Sequence, residues 1–334
     1  MFNISPRKFS ALTAVYLSAI FTPQALANDG QTLLIENFVG TVNMITGDAF
    51  SVSGDTGNIS ALQDSGLIIN GNETIENSSC KKLNGNIDIS FGKKRWFKRI
   101  GGYKNLGEYP KLEITVPSHA HLEIRDSIIF GSGADFGSVD AKIKSCGQLT
   151  LGDIAGPLVL KVSGSGDFTA GDVGDSKIRI SGSGDVRLNN MKSAAIDLSG
   201  SGDLIASDIS GPAEITAKGS GDIHLGDIAG PLKYAGQGSS DFSAQSINES
   251  AEITLSGSSN IDIKDGTLRD LRISSSGSSE IEFGGKTDTV YVRAKGSSEI
   301  DIKMAKNAAD VKTSGSAEVE INGETYVKGR PYSE

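Results

Sequence analysis

The sequence contains few of the residues that commonly build metal centres and reactive sites. Its 334 residues include two cysteines, three histidines and one tryptophan. His119 and His121 lie on either side of Ala120, but no nearby cysteine or third histidine completes a zinc-ligand set. The chain also has no nucleophile elbow, phosphate-binding loop or H-E-x-x-H motif. We therefore assign no catalytic residue, metal site or cofactor from these motifs.

Long apolar runs are absent after the first 27 residues. Residues 1–27 carry Arg7 and Lys8, an apolar stretch from Leu12 to Phe21, and then Ala25-Leu-Ala27. This order is typical of a secretory signal peptide with an A-x-A cleavage site, and the stretch is shorter than the ~20 residues of a membrane span. We expect an exported protein of the periplasm, the cell surface or the medium, with no membrane span.

Positive charge is also scarce. The chain has 32 basic and 41 acidic residues, and removal of residues 1–27 would leave 30 basic and 41 acidic residues, a net charge of −11. This balance argues against nucleic-acid binding. The exception is a run of five basic and two aromatic residues, which we call the basic segment. It comprises Lys93, Lys94, Arg95, Trp96, Phe97, Lys98 and Arg99. It predicts a loop that contacts an anionic glycan, a lipid headgroup or a protein; the alternative is a merely solvated insertion.

Glycine, by contrast, is abundant, and much of it lies in one phrase that occurs nine times. The first copies read SGSGDF and SGSGDV, and the later ones SGSSEI and SGSAEV. Each phrase has an acid or amide at one position, here numbered 0, and these positions follow one another at steps of 18 to 20 residues. They are Asp167, Asp185, Asp203, Asp222, Asp241, Asn260, Glu280, Glu299 and Glu318. A constant period near 19 residues indicates stacked, equivalent structural units.

Apolar residues occupy the odd positions −7, +1 and +3 of every copy. Alternation with β-branched residues predicts strands. Glycine at −3 and a small residue at −1 are expected to point inwards at a corner, and the serine at −2 to point outwards. The pattern predicts an all-β parallel β-helix, a β-solenoid, with coils of about 19 residues. We place regular coils at 129–328, an irregular N-terminal cap at 28–128 and a tail at 329–334. A separate small β-domain is the alternative for the N-terminal part.

The recurring SGSGD and SGSSE phrases, each followed by an apolar-x-apolar strand, resemble the bacterial GIN-domain family. The strand Leu112-Glu-Ile-Thr-Val-Pro117 also resembles that family's strand before its repeats. The family is described as an auto-transporter adhesin head domain. The resemblance implies a right-handed parallel β-helix in an exported bacterial protein. It supplies no catalytic residues.

The column of acids at position 0 has two interpretations. Carboxylates stacked ~4.8 Å apart should repel one another, and calcium bound between coils would relieve that repulsion. Alternatively, each aspartate accepts hydrogen bonds from main-chain N–H groups at its corner and is otherwise solvated. We favour the second interpretation, and calcium stays the one ion that the pattern leaves open.

Cys80 and Cys146 are the two cysteines of the chain. In an oxidising compartment they would pair and fasten the irregular N-terminal part to the regular repeat. The alternative is two separate thiols, because the sequence does not give their distance.

Two functions from different classes fit these observations. The first is a non-catalytic exported β-solenoid that presents an elongated surface for binding or adhesion, or that has a structural role in the envelope. Its partner would be a glycan or an envelope or surface protein. The second is a carbohydrate-active β-helix, similar to polysaccharide lyases and hydrolases. An enzyme of that kind needs a unique cluster of acids or bases, and residues 160–321 repeat almost without interruption. We favour the first.

Overall fold

The structure, a computed structural model, describes residues 31–57, 60–63, 66–83, 85–92, 94–95, 98–99, 102–327 and 330–331. The expected signal peptide at 1–27 lies outside these residues. The described part consists of 30 strands and one short 3-10 helix. The predicted all-β parallel solenoid is confirmed, with about 11 turns between residues 121 and 321.

The N-terminal part begins with five strands. They are β1 Thr32–Glu36, β2 Val39–Gly47, β3 Ser51–Gly54, β4 Ser60–Gln63 and β5 Gly66–Asn70. An insertion follows that contains two strands of five residues and three of two residues. They are β6 Ser79–Leu83, β7 Asn86–Ser90, β8 Lys94–Arg95, β9 Lys98–Arg99 and β10 Lys104–Asn105, with the 3-10 helix at Leu106–Glu108.

The stacked coils start after this insertion. Their shorter strands are β11 Lys111–Pro117, β12 His121–Ser132, β13 Ser138–Ser145, β14 Gln148–Thr150, β15 Leu158–Gly164, β16 Asp167–Thr169, β17 Val173–Gly182, β18 Val186–Arg187, β19 Met191–Leu198, β20 Leu204–Ile205, β21 Ala213–Ala217, β22 Ile223–Ile228 and β23 Leu232–Gly238. Four long strands and three short ones complete the chain. They are β24 Phe242–Gly257, β25 Asn260–Gly277, β26 Glu280–Gly296, β27 Glu299–Gly315, β28 Glu318–Ile321, β29 Glu324–Val327 and β30 Arg330–Pro331.

Parallel pairing places equivalent residues of successive coils side by side. The position −7 residues form one unbroken register from Leu160 through Ile178 and Ile196 to Val311. The residues at −7, +1 and +3 are buried in every coil except for Val311, which is half-buried because its stretch of β27 has no following coil above it. The predicted apolar columns are therefore the core, and each coil buries them by stacking on its neighbours.

The corner of each coil differs in one respect from the sequence expectation. Position −1 is buried, as expected, but the glycine at −3 lies at the surface, half-exposed or exposed. Seven of these nine glycines have positive φ, for example 102° at Gly164 and 141° at Gly277. A left-handed residue breaks the alternation of a strand, so positions −4, −3 and −2 all lie on the outside before the chain turns back into the core.

The N-terminal strands belong to the same sheet as the regular coils. β1 pairs in parallel with β12, and β2 pairs in parallel with β11 and β12. Antiparallel strands cover this end, since β3 pairs with β11 and β4 with β5. At the other end β29 pairs antiparallel with β28, and the side chain of Asn322 bonds both the N–H and the carbonyl of Ala305. Such covers satisfy main-chain groups that an open sheet edge would expose.

The insertion at residues 71–110 packs on the outside of the first coils. Its strands β6, β7 and β10 form a separate antiparallel sheet. Ile75, Ile89 and Tyr109 of the insertion form a second core with Val39 and Ile128, which point away from the interior of the solenoid. The insertion is thus a platform with its own buried contacts on the outside of the stack.

Candidate functional site

The aspartates at position 0 form a ladder of hydrogen bonds that joins successive coils. Each Oδ1 accepts a hydrogen bond from the main-chain N–H of the next residue in the column, at 2.9 to 3.1 Å. The ladder runs from Asp167 to Asn260. The five aspartates are half-buried, and main-chain donors stabilise their charge. These carboxylates therefore link each coil to the next through hydrogen bonds.

The column changes where aspartate gives way to glutamate. The N–H groups of Glu299 and Glu318 donate to the carbonyls of Ser279 and Ser298, both at 2.9 Å. The glutamates are exposed, whereas the aspartates are half-buried. The direct main-chain bond makes a capping side chain unnecessary, so the longer acids extend into solvent.

A second ladder lies five residues further along each coil, and our reading of the sequence missed it. Asp135 accepts from the N–H of Asp153, Asp153 from Asp172, and Asp172 from Asn190. Asn190 then accepts from the N–H of Asp208, and Asp208 accepts from the N–H of Asp227. The signal was present, because these residues follow one another at steps of 18 or 19. Two acidic columns therefore stabilise two corners of every coil in this region.

The serines at position −2 form an exposed column along the solenoid. All nine are exposed, which confirms the expectation that they face away from the core. They are Ser165, Ser183, Ser201, Ser220, Ser239, Ser258, Ser278, Ser297 and Ser316. The N–H group of Ser165 donates to the carbonyl of Ser145, and the other eight donate to the carbonyl of the glycine in the preceding coil, as from Ser183 to Gly164 at 2.7 Å. With coils ~4.8 Å apart, this column offers hydroxyl groups at regular intervals.

The basic segment lies on the insertion, between β7 and β10. The sequence predicted a loop, but the main chain of the described residues forms an antiparallel hairpin in which Lys94 pairs with Arg99 and Arg95 with Lys98. Lys93, Trp96 and Phe97 lie outside the described residues. The main chain thus places four basic residues of the segment on two neighbouring short strands.

A disulfide joins the insertion to the first coils. Cys80 lies on β6 and Cys146 at the corner between β13 and β14, with their Cα atoms 6.0 Å apart. The bond closes a chain segment of 66 residues. It fixes the platform that carries the basic segment to the body of the solenoid.

The two neighbouring histidines do not share a face. His119 is exposed in the turn before β12, whereas His121 is buried and its Nδ1 lies 2.8 Å from Ser138 Oγ. Burial lowers the pKa of His121. Within the described part of the chain, no three His, Cys, Asp or Glu side chains form a group that could hold a metal ion.

The stacked register, the capping ladders and the end covers define the protein as a parallel β-solenoid repeat protein. It belongs to the family described as "Putative auto-transporter adhesin, head GIN domain", which matches residues 41–226, 195–283 and 214–334. The chain matches no curated protein and no solved structure. Membership in this family indicates an adhesin-like protein that is exported or at the surface. In the described residues no helix has the length and apolar character of a membrane span.

Proposed function

We propose that the protein is a non-catalytic exported solenoid whose regular coils are a scaffold and whose insertion makes the contact with a partner. The basic segment at residues 93–99 binds an anionic surface, either an acidic glycan or a membrane of anionic lipids. The observation that carries this proposal is the contrast between an acidic chain and a single run of five basic residues, four of which lie on the hairpin formed by β8 and β9.

The role of the acids in the regular coils supports this proposal. A general acid or a nucleophile needs a carboxylate that is free to move a proton or to attack. The aspartates from Asp167 to Asp241 instead accept main-chain hydrogen bonds in coil after coil. Their repetition indicates a structural role.

The way the insertion is held supports a binding role for it. Its second core and the disulfide from Cys80 to Cys146 fasten it at two places. A fixed platform loses little conformational entropy when a partner binds, which favours affinity. The two aromatic residues of the segment, Trp96 and Phe97, would add apolar contact that salt does not screen.

The test compares the mature chain with a variant in which Lys93, Lys94, Arg95, Lys98 and Arg99 are replaced by serine. We expect the parent to co-sediment with phosphatidylglycerol vesicles, or to bind heparin, at low salt. Binding should weaken as salt rises, because the screening length is only ~8 Å at physiological ionic strength. The variant should fold like the parent and lose this binding.

A matched control removes the same charge elsewhere. Five exposed lysines of the coils, which form no ion pair with any described residue, are replaced by serine: Lys161, Lys177, Lys218, Lys286 and Lys295. This control should keep binding near the parental level. Equal binding by parent and segment variant would contradict the proposal. Release of reducing ends from a polysaccharide by the purified parent would instead support the carbohydrate-active alternative.

A further inference from the structure

A cleft of about 800 Å³ lies where the insertion meets the corners of the first coils. One wall is the insertion segment at residues 74–80. The floor is formed by residues of the first coils: Asn37, Asp126, Ser145, Gly164 and Gly182, of which the last three lie in register on successive coils. The cleft is distinct from the basic segment and its volume is typical of ligand sites.

The floor is unusual in its main-chain conformation. Asn37, Asp126 and Ser145 have φ of 50°, 41° and 62°, and Asn77 of the wall has 57°. These are four of the seven non-glycine residues with positive φ in the described part of the chain. At the position of Ser145 the regular coils have glycine, for which a left-handed conformation costs least. Non-glycine residues kept in such conformations cluster at binding sites, because the site needs their side chains.

The repeat also departs from its pattern at this cleft. Gln148 is at position 0 of the coil before the first regular copy. Ser145 therefore occupies position −3, where the regular coils have glycine, and Cys146 occupies position −2, where they have the exposed serine. Ser145 adds a hydroxyl to the floor, and Cys146 bonds Cys80 of the opposite wall. Both departures from the regular corner therefore serve the cleft, one by lining it and one by fixing its wall.

The polar groups of the cleft suit an uncharged ligand. Asp126 and Lys144 form an ion pair there, and Glu76 of the wall adds a second carboxylate, so an anion would meet two negative charges and one positive charge. Among the described lining residues none is aromatic and several carry hydroxyl groups. The hydroxyls of Ser163 and Ser183 have no hydrogen-bond partner in the described part of the chain.

We propose that this cleft binds a short stretch of neutral carbohydrate chain. Sugar hydroxyls are both donors and acceptors, which is what the serine, amide and carboxylate groups of the cleft can satisfy. Ser165 and Ser183 at the cleft are also the first members of the exposed serine column, so a longer chain can continue towards Ser201. This deepens the proposed binding function by naming a second ligand class at residues that the basic segment does not include.

The test measures binding of hexasaccharides of glucose, mannose, galactose and N-acetylglucosamine to the mature chain by isothermal titration calorimetry. At least one of them should bind, and Ser183→Trp, which fills the cleft, should weaken that binding at least tenfold. Ser239→Trp places the same side chain on the same exposed column three coils further on and should bind within twofold of the parent. The melting temperatures of both variants establish that they fold.

Two results would overturn the proposal: no binding of any hexasaccharide, or parental binding by Ser183→Trp. The variant of the basic segment should bind the neutral hexasaccharide as the parent does. Loss of vesicle binding and loss of hexasaccharide binding are thus separate results. The variant of the basic segment tests the first proposal, and Ser183→Trp tests the second.

Discussion

The capping ladder predicts that the acceptor oxygen of Asp203, and not its charge, holds its coil in place. Asp203 Oδ1 accepts the N–H of Asp222 at 2.9 Å, and its own N–H donates to Asp185 Oδ1 at 3.1 Å. Asp203→Ala removes the acceptor and the charge. Asp203→Asn removes the charge and keeps an acceptor. The two variants therefore differ in the hydrogen bond at equal charge.

The expected changes in stability follow from the hydrogen bonds and from the repulsion between stacked carboxylates. A hydrogen bond to a charged group contributes about 1.5–3 kcal/mol, and a donor left without a partner costs about 1–3 kcal/mol. Each neighbouring aspartate ~4.8 Å away repels Asp203 by about 0.9 kcal/mol in water, and salt roughly halves this. Loss of the charge on Asp203 thus regains about 1 kcal/mol in either variant. We expect Asp203→Asn to be nearly neutral and Asp203→Ala to be about 1–3 kcal/mol less stable than Asp203→Asn.

Urea unfolding followed by circular dichroism measures this difference, with melting temperatures as a second reading. The side chain of Asn190 already serves as the acceptor at one step of the second ladder, which is why the substitution should be accepted. Millimolar calcium should leave the melting temperature of the parent unchanged. If Asp203→Asn proves as unstable as Asp203→Ala, the charge matters more than the acceptor. If calcium strongly stabilises the parent, the ladder is a cation site.

Further predictions concern the core, the cleft, the disulfide and the buried histidine. Ile215→Ala, at a side chain only 1% exposed, should cost about 2–5 kcal/mol in urea unfolding, and a neutral result would contradict the parallel register. Ser145→Gly should raise the melting temperature, because φ is 62° and glycine lowers the cost of a left-handed residue by about 1–2 kcal/mol; a fall would show that the serine side chain stabilises the fold. Reduction of the Cys80 bond should cost about 2–4 kcal/mol and expose the insertion to proteases, which mass spectrometry of the fragments would detect. Since burial lowers the pKa of His121, the unfolded chain binds more protons and stability should fall as the pH drops below about 6.5; His121→Gln should show a smaller fall in thermal melts at pH 7 and 5.

The architecture was predictable from the sequence because stacking imposes the same environment on equivalent residues of every coil. Isoleucine recurs at Ile178, Ile196 and Ile215 because each of these side chains packs on the one before it. The same logic would have revealed the second aspartate ladder, whose period is as regular as that of the first. The prediction that Gly164 points inwards was wrong. A positive φ reverses the alternation of side chains along the strand, and the sequence does not show which glycines have a positive φ.

The region around the insertion could not be predicted in the same way. Its second core joins Ile75 and Ile89 to Val39 and Ile128, residues that no period relates. The cleft depends on this packing and on the left-handed conformation of Asp126, so its lining could not be derived from spacing. The side chains of the basic segment stay a prediction, since the described structure gives only the pairing of β8 with β9.

We propose that the regular coils are a scaffold and that ligands bind at the insertion and its cleft. Hydrogen–deuterium exchange of the mature chain with and without phosphatidylglycerol vesicles, and with and without the neutral hexasaccharide, tests it directly. We predict that vesicles slow exchange in peptides spanning residues 85–105, and that the sugar slows it around residues 74–80, 126 and 145. Protection spread evenly over the coils at residues 160–321, with none in the insertion, would contradict the claim.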